Sequence, residues 1–267
     1  MVDPPVVLSI AGSDSSGGAG LAADLRTFVA EGVWGALAVT AVTAQDAGGV
    51  SGSYPVAPHA VAAQISSVRR GMEVAAVKTG MLGTGAIVAA VADELADAPV
   101  ATLVVDPVLR ATGGQPLLDH DGVMTMVERL LPLATLVTPN LPEAEALLGR
   151  TLAGRSDMAG AARDLARMGP RSVLLKGGHL TGEESPDLLL CDGRVHWLEG
   201  SRLPGGGARG TGCVLSAAIA ARLALGDEVL EACLHAKQLV TAALRRAIPL
   251  GTGSRGLWPA TRSGEPA

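Results

Sequence analysis

Residues 6–31 read VVLSIAGSDSSGGAGLAADLRTFVAE, and this stretch decides the fold. The run VVLSI is too short for a helix, is rich in Val and Ile, and stops at a Gly/Ser/Asp cluster. The apolar residues beyond that cluster recur at helical spacing. A buried strand, a glycine-marked turn and a helix make the first half of a βαβ unit. The same punctuation returns along the chain in ALAVTAV, VAAVK, TLVVD, TLVTP and SVLLK, each separated by a segment long enough for a crossover helix. Short apolar strands alternating with helices predict a mostly parallel sheet covered on both faces. The pattern changes at DLLLCDGRVHWLEG, where Asp192-Gly193 joins two short strands into a hairpin. Two helical stretches follow, GTGCVLSAAIAARLAL and VLEACLHAKQLVTAALRRAI, the second ended by Pro249. Residues 251–267 carry turn chemistry throughout, so the expected organisation is one domain over residues 1–250 and a loose tail.

Composition narrows the partners. With 48% hydrophobic and 18% charged residues, the 267-residue chain holds enough apolar material for a large core. A net charge of -5 without any Lys/Arg run argues against a nucleic-acid groove or an anionic membrane surface. No stretch reaches the roughly 18 apolar residues of a membrane span, and the start of the chain lacks a basic, apolar leader. Cys191, Cys213 and Cys233 form no CxxC pair, which fits a reducing compartment better than a disulfide framework or a zinc site. A cytoplasmic location is therefore expected. Of 21 basic residues only Lys78, Lys176 and Lys237 are lysines, which marks each as a candidate for a compact ammonium that arginine cannot replace.

The polar residues gather at strand ends. AGSDSSGGAG, TAQDAGG, KTGM, DPV, TPNLPE and KGGH each follow an apolar run. In an open α/β sheet such turns converge on one cleft beyond the carboxyl ends of the strands. No GxxxxGK[ST] loop is present. The GTG of residues 210–212 opens a helix instead, and its backbone N–H groups suit an anion. Cys213 falls in the first turn of that helix, where the helix dipole favours thiolate. The alternative is a small buried hydrophobe. Cys191 and Cys233 lack such a setting and are read as packing residues.

The order and spacing of SIAGSDSSGGAGLAADLRTF, AVTAVTAQD, AAVKTGML, LVVDPV, LVTPNLPEAEALLG, VLLKGGHL and GTGCVLSAAIAA, covering roughly residues 6–250, resemble the hydroxymethylpyrimidine and phosphomethylpyrimidine kinases of thiamin synthesis. The resemblance implies a ribokinase-like three-layer αβα sandwich with a small β flap, a homodimer, and ATP with Mg2+. It also implies a small pyrimidine substrate contacted by Gly12, Asp24, Gln45 and Met81. The Gln45 amide offers the donor and acceptor that a ring nitrogen beside an exocyclic amine requires. Asn140, Lys176, Thr211 and Arg209 are implied on the nucleotide side, and Asp106 and Glu143 around hydrated Mg2+. Gly210 and Gly212 form the implied anion hole, with Cys213 as the base where most ribokinase-like kinases carry Asp. Arg209 stands where the family usually has His, and Asp46 where it has Asn. Two other readings stay open: a pyridoxine or pyridoxal kinase, whose substrate is also a flat heteroaromatic with a hydroxymethyl arm, and a pyrimidine-binding paralogue without turnover. The segment QDAGGVSGSYPV is expected to be the flap.

Overall fold

The computed structural model describes residues 3–46, 49–111, 114–203, 208–251 and 254–259. β1 (Val6–Ala11) runs into α1 (Gly20–Glu31), as the opening stretch requires, and β2 (Trp34–Val39) follows. β3 (Ala41–Asp46) and β4 (Gly49–Pro55) form a separate antiparallel ribbon. After α2 (Pro58–Gly71) come β5 (Val74–Thr79), α3 (Gly85–Asp97), β6 (Leu103–Val105), α4 (His120–Thr125), β7 (Leu136–Val137), α5 (Leu141–Leu148), α6 (Arg155–Ala166) and β8 (Ser172–Leu175). The hairpin β9 (Asp187–Cys191) and β10 (Arg194–Leu198) precedes α7 (Thr211–Ala224), α8 (Val229–Arg245), β11 (Ile248–Pro249) and β12 (Arg255–Gly256).

The main sheet has eight strands in the order β10-β9-β8-β7-β6-β5-β1-β2. It is parallel from β2 to β8 and antiparallel at β9 and β10. The chain steps outward from β1 to β2, then crosses back to β5 on the other side of β1. That reversal opens a crevice at the carboxyl ends of β1 and β5, the place where such sheets bind ligands. Side chains alternate between two apolar layers. Leu8, Val77, Val105 and Val173 pack against α2, α3, α5 and α6. Val7, Ala76, Val104 and Leu174 pack against α1, α7 and α8. Strands buried on both faces explain why the sequence shows apolar runs rather than clean alternation.

ALAVTAV, expected as one strand, is broken at Thr40. Its N–H donates to Ala11 O at 3.0 Å and its carbonyl accepts from Val56 N at 2.8 Å, so the chain leaves the main sheet there and becomes the flap. The flap itself is as expected, except that Ala47 and Gly48 lie outside the described residues. The tail differs from expectation more sharply. β12 pairs with β11, Arg209 N donates to Arg255 O at 2.9 Å, and Leu257 is buried against Ala23, Val214 and Ala243. Residues 254–257 therefore belong to the packed domain. Residues 252, 253 and 260–267 of the expected tail lie outside the described residues.

Candidate active site

At the carboxyl end of the sheet lies a cavity of about 750 Å³, bounded by the ends of β1 and β5, the flap, residues 108–111 with Gly114 and Leu117, and the start of α7. Two glycines knit its floor. Gly20, at φ +55°, sits so close to the end of β1 that a Cβ would come within 2.4 Å of Gly12 O. Gly210, the N-cap of α7 at φ +79°, would place a Cβ 2.1 Å from Gly18 O. Neither position tolerates a side chain, so backbone packs directly on backbone at Gly20–Gly12 and at Gly210–Gly18. The N–H groups at the start of α7 have no intrahelical acceptor and belong to residues that line the cavity, an arrangement able to hold an anion.

The charged groups opposite are tightly organised. Lys176 Nζ donates to Asp106 Oδ1 at 3.0 Å and lies 3.7 Å from Glu143 Oε2. Asp106 also accepts from Thr138 Oγ1 at 3.1 Å and Ser216 Oγ at 3.2 Å. Burial works against the Asp106 charge, but Lys176 and Lys78 outweigh it and hold the carboxyl below its usual range. Burial likewise opposes the Lys176 charge, and Asp106 with Glu143 overcomes it and holds the ammonium above its usual range. Asn140 and Glu143 form a capping box at the start of α5, with Asn140 N donating to Glu143 Oε2 at 2.7 Å and Glu143 N to Asn140 Oδ1 at 2.9 Å. Burial raises Glu143 to about 7, offset in part by Lys176 and reinforced by Asp106. A Cβ on Gly212 would meet Lys176 Nζ at 3.4 Å and Asp106 Oδ2 at 3.6 Å, so the helix start and this charge cluster face each other across atomic distances.

Most residues singled out from the sequence meet here. Gly12, Gln45, Met81, Asp106, Asn140 and Glu143 line the cavity, as do Lys176, Arg209, Gly210, Thr211, Gly212 and Cys213. Asp24 does not. It is fully buried beneath the floor, accepting from Lys78 Nζ at 2.8 Å and Ser9 Oγ at 2.6 Å. Its helix face points into the sheet rather than into the cavity, which corrects the expectation of a substrate contact. The Cys213 expectation also changes. Burial pushes its thiol up to about 11, against the pull of Lys78 and a hydrogen bond from Gly20, so the helix start alone does not make a thiolate. Arg209 lines the cavity beside the start of α7 and reaches the flap: its guanidinium donates to Asp46 O and lies 3.9 Å from Asp14 Oδ2. Glu145 of the same helix as Glu143 accepts from Leu152 N at 2.7 Å.

Two carboxylates, Asp14 and Asp187, escaped the sequence reading. Asp14 orders the first turn by accepting from Ser16 N at 2.9 Å and Ala19 N at 2.8 Å, an Asx-turn legible in hindsight from SDSSGG. Lys237 donates to Asp187 Oδ2 at 2.7 Å and Ser185 O at 2.9 Å, while Asp187 Oδ1 accepts from Gly177 N at 2.8 Å. This pins the turn that follows Lys176. No cluster of three or more metal-ligating side chains occurs among the described residues. Asp106 and Glu143 suit Mg2+ only in its usual sparse mode, with waters and substrate phosphates completing the shell.

Comparison with known proteins decides the relationship. A family model described as phosphomethylpyrimidine kinase matches residues 14–258. The chain belongs to the phosphomethylpyrimidine kinase family. It is 44% identical over 251 residues to a hydroxymethylpyrimidine/phosphomethylpyrimidine kinase of Haemophilus influenzae, covering 92% of this chain and 93% of that one. It is 47% identical over 247 residues to a thiamine biosynthesis bifunctional protein of Geobacter sulfurreducens, covering 92% of this chain and spanning only 50% of that longer protein. The crystal structure of an ADP complex of Bacillus subtilis pyridoxal kinase superposes with a TM-score of 0.89 at 35% identity, covering 96% of this chain and 98% of that one. The ribokinase-like three-layer sandwich expected of this kinase family is thus the fold observed.

Proposed function

We infer that this chain is an ATP-dependent kinase that phosphorylates 4-amino-5-hydroxymethyl-2-methylpyrimidine to its monophosphate and then to the diphosphate, for thiamin biosynthesis. The observation that carries the reading is the meeting, in one cavity, of the glycine-opened start of α7, the Lys176–Asp106 pair and Cys213. An anion-binding helix start and a buried ammonium facing each other hold the transferring phosphoryl group between them. The hydroxymethyl oxygen forms its bond to the γ-phosphorus as the bond to the leaving ADP oxygen breaks, and the hydroxyl proton passes to Cys213 Sγ. In the second transfer the acceptor is a phosphate oxygen that is already ionised, so no proton need move. A thiol that is neutral beside that anion suits this step better than a fixed carboxylate, which would repel it.

Asp106 and Glu143 would hold hydrated Mg2+, which when bound neutralises phosphate charge. Gln45 and Met81, at the flap and the end of β5, would bracket the pyrimidine ring, with Gly12 beneath and Asn140, Thr211 and Arg209 toward the phosphates. Exposed Val29 and Trp34 near the edge strand β2 support a homodimer, which sedimentation would test. Three free cysteines fit a reducing cytoplasm.

The test is mass spectrometry of products formed from Mg-ATP and, separately, the hydroxymethylpyrimidine, its monophosphate and pyridoxal. Successive mono- and diphosphate products from the pyrimidine support the reading, and Cys213→Ala should cripple the first step more than the second. Product from pyridoxal alone would move the assignment to vitamin B6 salvage, the reading favoured by the likeness to pyridoxal kinase. Ligand binding without any product would leave a non-catalytic paralogue.

A further inference from the structure

Beneath the cavity floor the fold buries a charged pair that phosphoryl transfer, as described, does not use. Ser9 of β1 and Lys78 of β5 are register partners, and both turn toward the helical layer formed by α1 and α7. They converge on Asp24 of α1, whose Oδ2 accepts from both. Lys78 and Asp24 are fully buried, and Asp24 Oδ1 has no hydrogen-bond partner among the described residues. Lys78 nevertheless contributes to the cavity wall alongside Cys213, Gly20 and Asp106. Burying an ion pair seldom stabilises a fold more than an apolar pair of the same volume would. A pair whose lysine shares a cavity wall with a buried thiol has an electrostatic use that an apolar pair lacks.

We propose that Lys78 is the positioning residue that lets Cys213 ionise, and that Asp24 sets how much of the ammonium's field reaches the sulfur. The proposal rests on the kinase reading above, in which Cys213 takes the hydroxyl proton. The charged groups facing Cys213 are Lys78 from β5, Asp24 from α1, Asp106 after β6 and Lys176 after β8. Burial disfavours the thiolate most strongly, Lys78 favours it, and Asp24 and Asp106 disfavour it. The two members of one ion pair therefore act on the sulfur with opposite sign. Ionisation releases the Cys213 proton to solvent and leaves a thiolate beside the Lys78 ammonium. That thiolate later accepts the substrate hydroxyl proton and returns to the neutral thiol.

The opposite signs supply the test. The full chain, without substrate, is alkylated with iodoacetamide at pH 8.5 and the rate at Cys213 is followed peptide by peptide. Well below the midpoint, the thiolate fraction changes about tenfold for each unit of pKa shift. Lys78→Met should slow alkylation about tenfold, whereas Asp24→Asn should speed it several-fold. A purely structural pair would move both variants in the same direction by loosening the site, and that result, or no change in either, overturns the proposal. Should Lys78→Met fail to fold, the double variant Lys78→Met/Asp24→Asn leaves neither member of the pair as an unpaired buried charge and carries the test. Alkylation slower than wild type supports the proposal, and an equal or faster rate refutes it. Because the readout needs no turnover, a chain that makes no phosphorylated product would sink the kinase reading while these rates still judge the Lys78 proposal.

Discussion

Gly210 and Gly32 share nearly the same backbone conformation, φ +79° and +76°, but only one has a neighbour in the way. A Cβ at Gly32, beyond the end of α1, meets nothing within 4 Å, whereas one at Gly210 lies 2.1 Å from Gly18 O. Gly32→Ala should thus pay only the left-handed backbone penalty, about 1 kcal/mol, which for a chain of this size lowers Tm by roughly 2–4 °C. Gly210→Ala carries the same penalty and must also open the contact to at least 3.0 Å. Either the turn at Gly18 or the start of α7 moves by about 1 Å. A misplacement of that size costs on the order of 100-fold in rate, in line with loss of one donor from an oxyanion-type site. The expected result is a kcat at least about 100-fold lower in Gly210→Ala, a Tm loss larger than that of Gly32→Ala, and near-normal kcat in the latter. Coupled-enzyme kinetics and calorimetry on the pair suffice. Equal Tm losses with more than half of wild-type kcat in Gly210→Ala would refute the close-contact argument.

Three further outcomes follow from the geometry. The folded Glu143 carboxyl is raised from 4.5 to about 7 by burial, so the folded state binds the proton more tightly than the unfolded chain and the stability this contributes, complete below about pH 4.5, is lost as pH rises through 7. Glu143→Gln should remove that dependence and raise stability at pH 8 by about 1–3 kcal/mol while lowering activity, and denaturant titrations at pH 5 and 8 will show whether the slope disappears. Arg209→Ala should free the flap from the start of α7, giving faster hydrogen exchange across residues 41–55 and a KM for the pyrimidine about 3–10-fold higher; unchanged exchange would mean that the guanidinium does not hold the flap. Truncation after Gly251 removes the buried Leu257 side chain, worth about 1.5–3 kcal/mol, together with the β11–β12 pairing, and a Tm within 1–2 °C of wild type would contradict the packed position of residues 254–257.

What the sequence revealed was local chemistry. Asp192 and Gly193 adopt φ of +49° and +71°, as their turn preference demands, and each strand-end turn marked by Gly or Pro reached the cavity rim. What it concealed depends on neighbours distant in sequence. ALAVTAV is uninterrupted as a string, and only the Ala11 and Val56 backbone groups fix the break at Thr40. Leu257 and Trp258 stand together in a Gly/Pro background, and only Leu257 is buried, because α1, α7 and α8 leave a hollow for it. Asp24 reads as an ordinary carboxylate on a helix face because its partners come from β1 and β5. The helix-start argument for Cys213 was sound as far as it went, but desolvation, which outweighs it here, is a property of the assembled layers.

The chain's sparing use of lysine has a practical consequence. Lys78, Lys176 and Lys237 have side chains only 0%, 13% and 16% exposed, and each ammonium is committed to an aspartate. Arginine supplies the rest of the basic surface. Amine-directed reagents such as acylating labels, reductive methylation or ester-activated resins would therefore meet no freely exposed lysine. Labelling at Lys176 becomes a footprint of site occupancy, rising when the Asp106 contact opens and falling when an anion covers it. A chemist seeking to tether this protein without disturbing the cleft would have to introduce a lysine on the outer helices first.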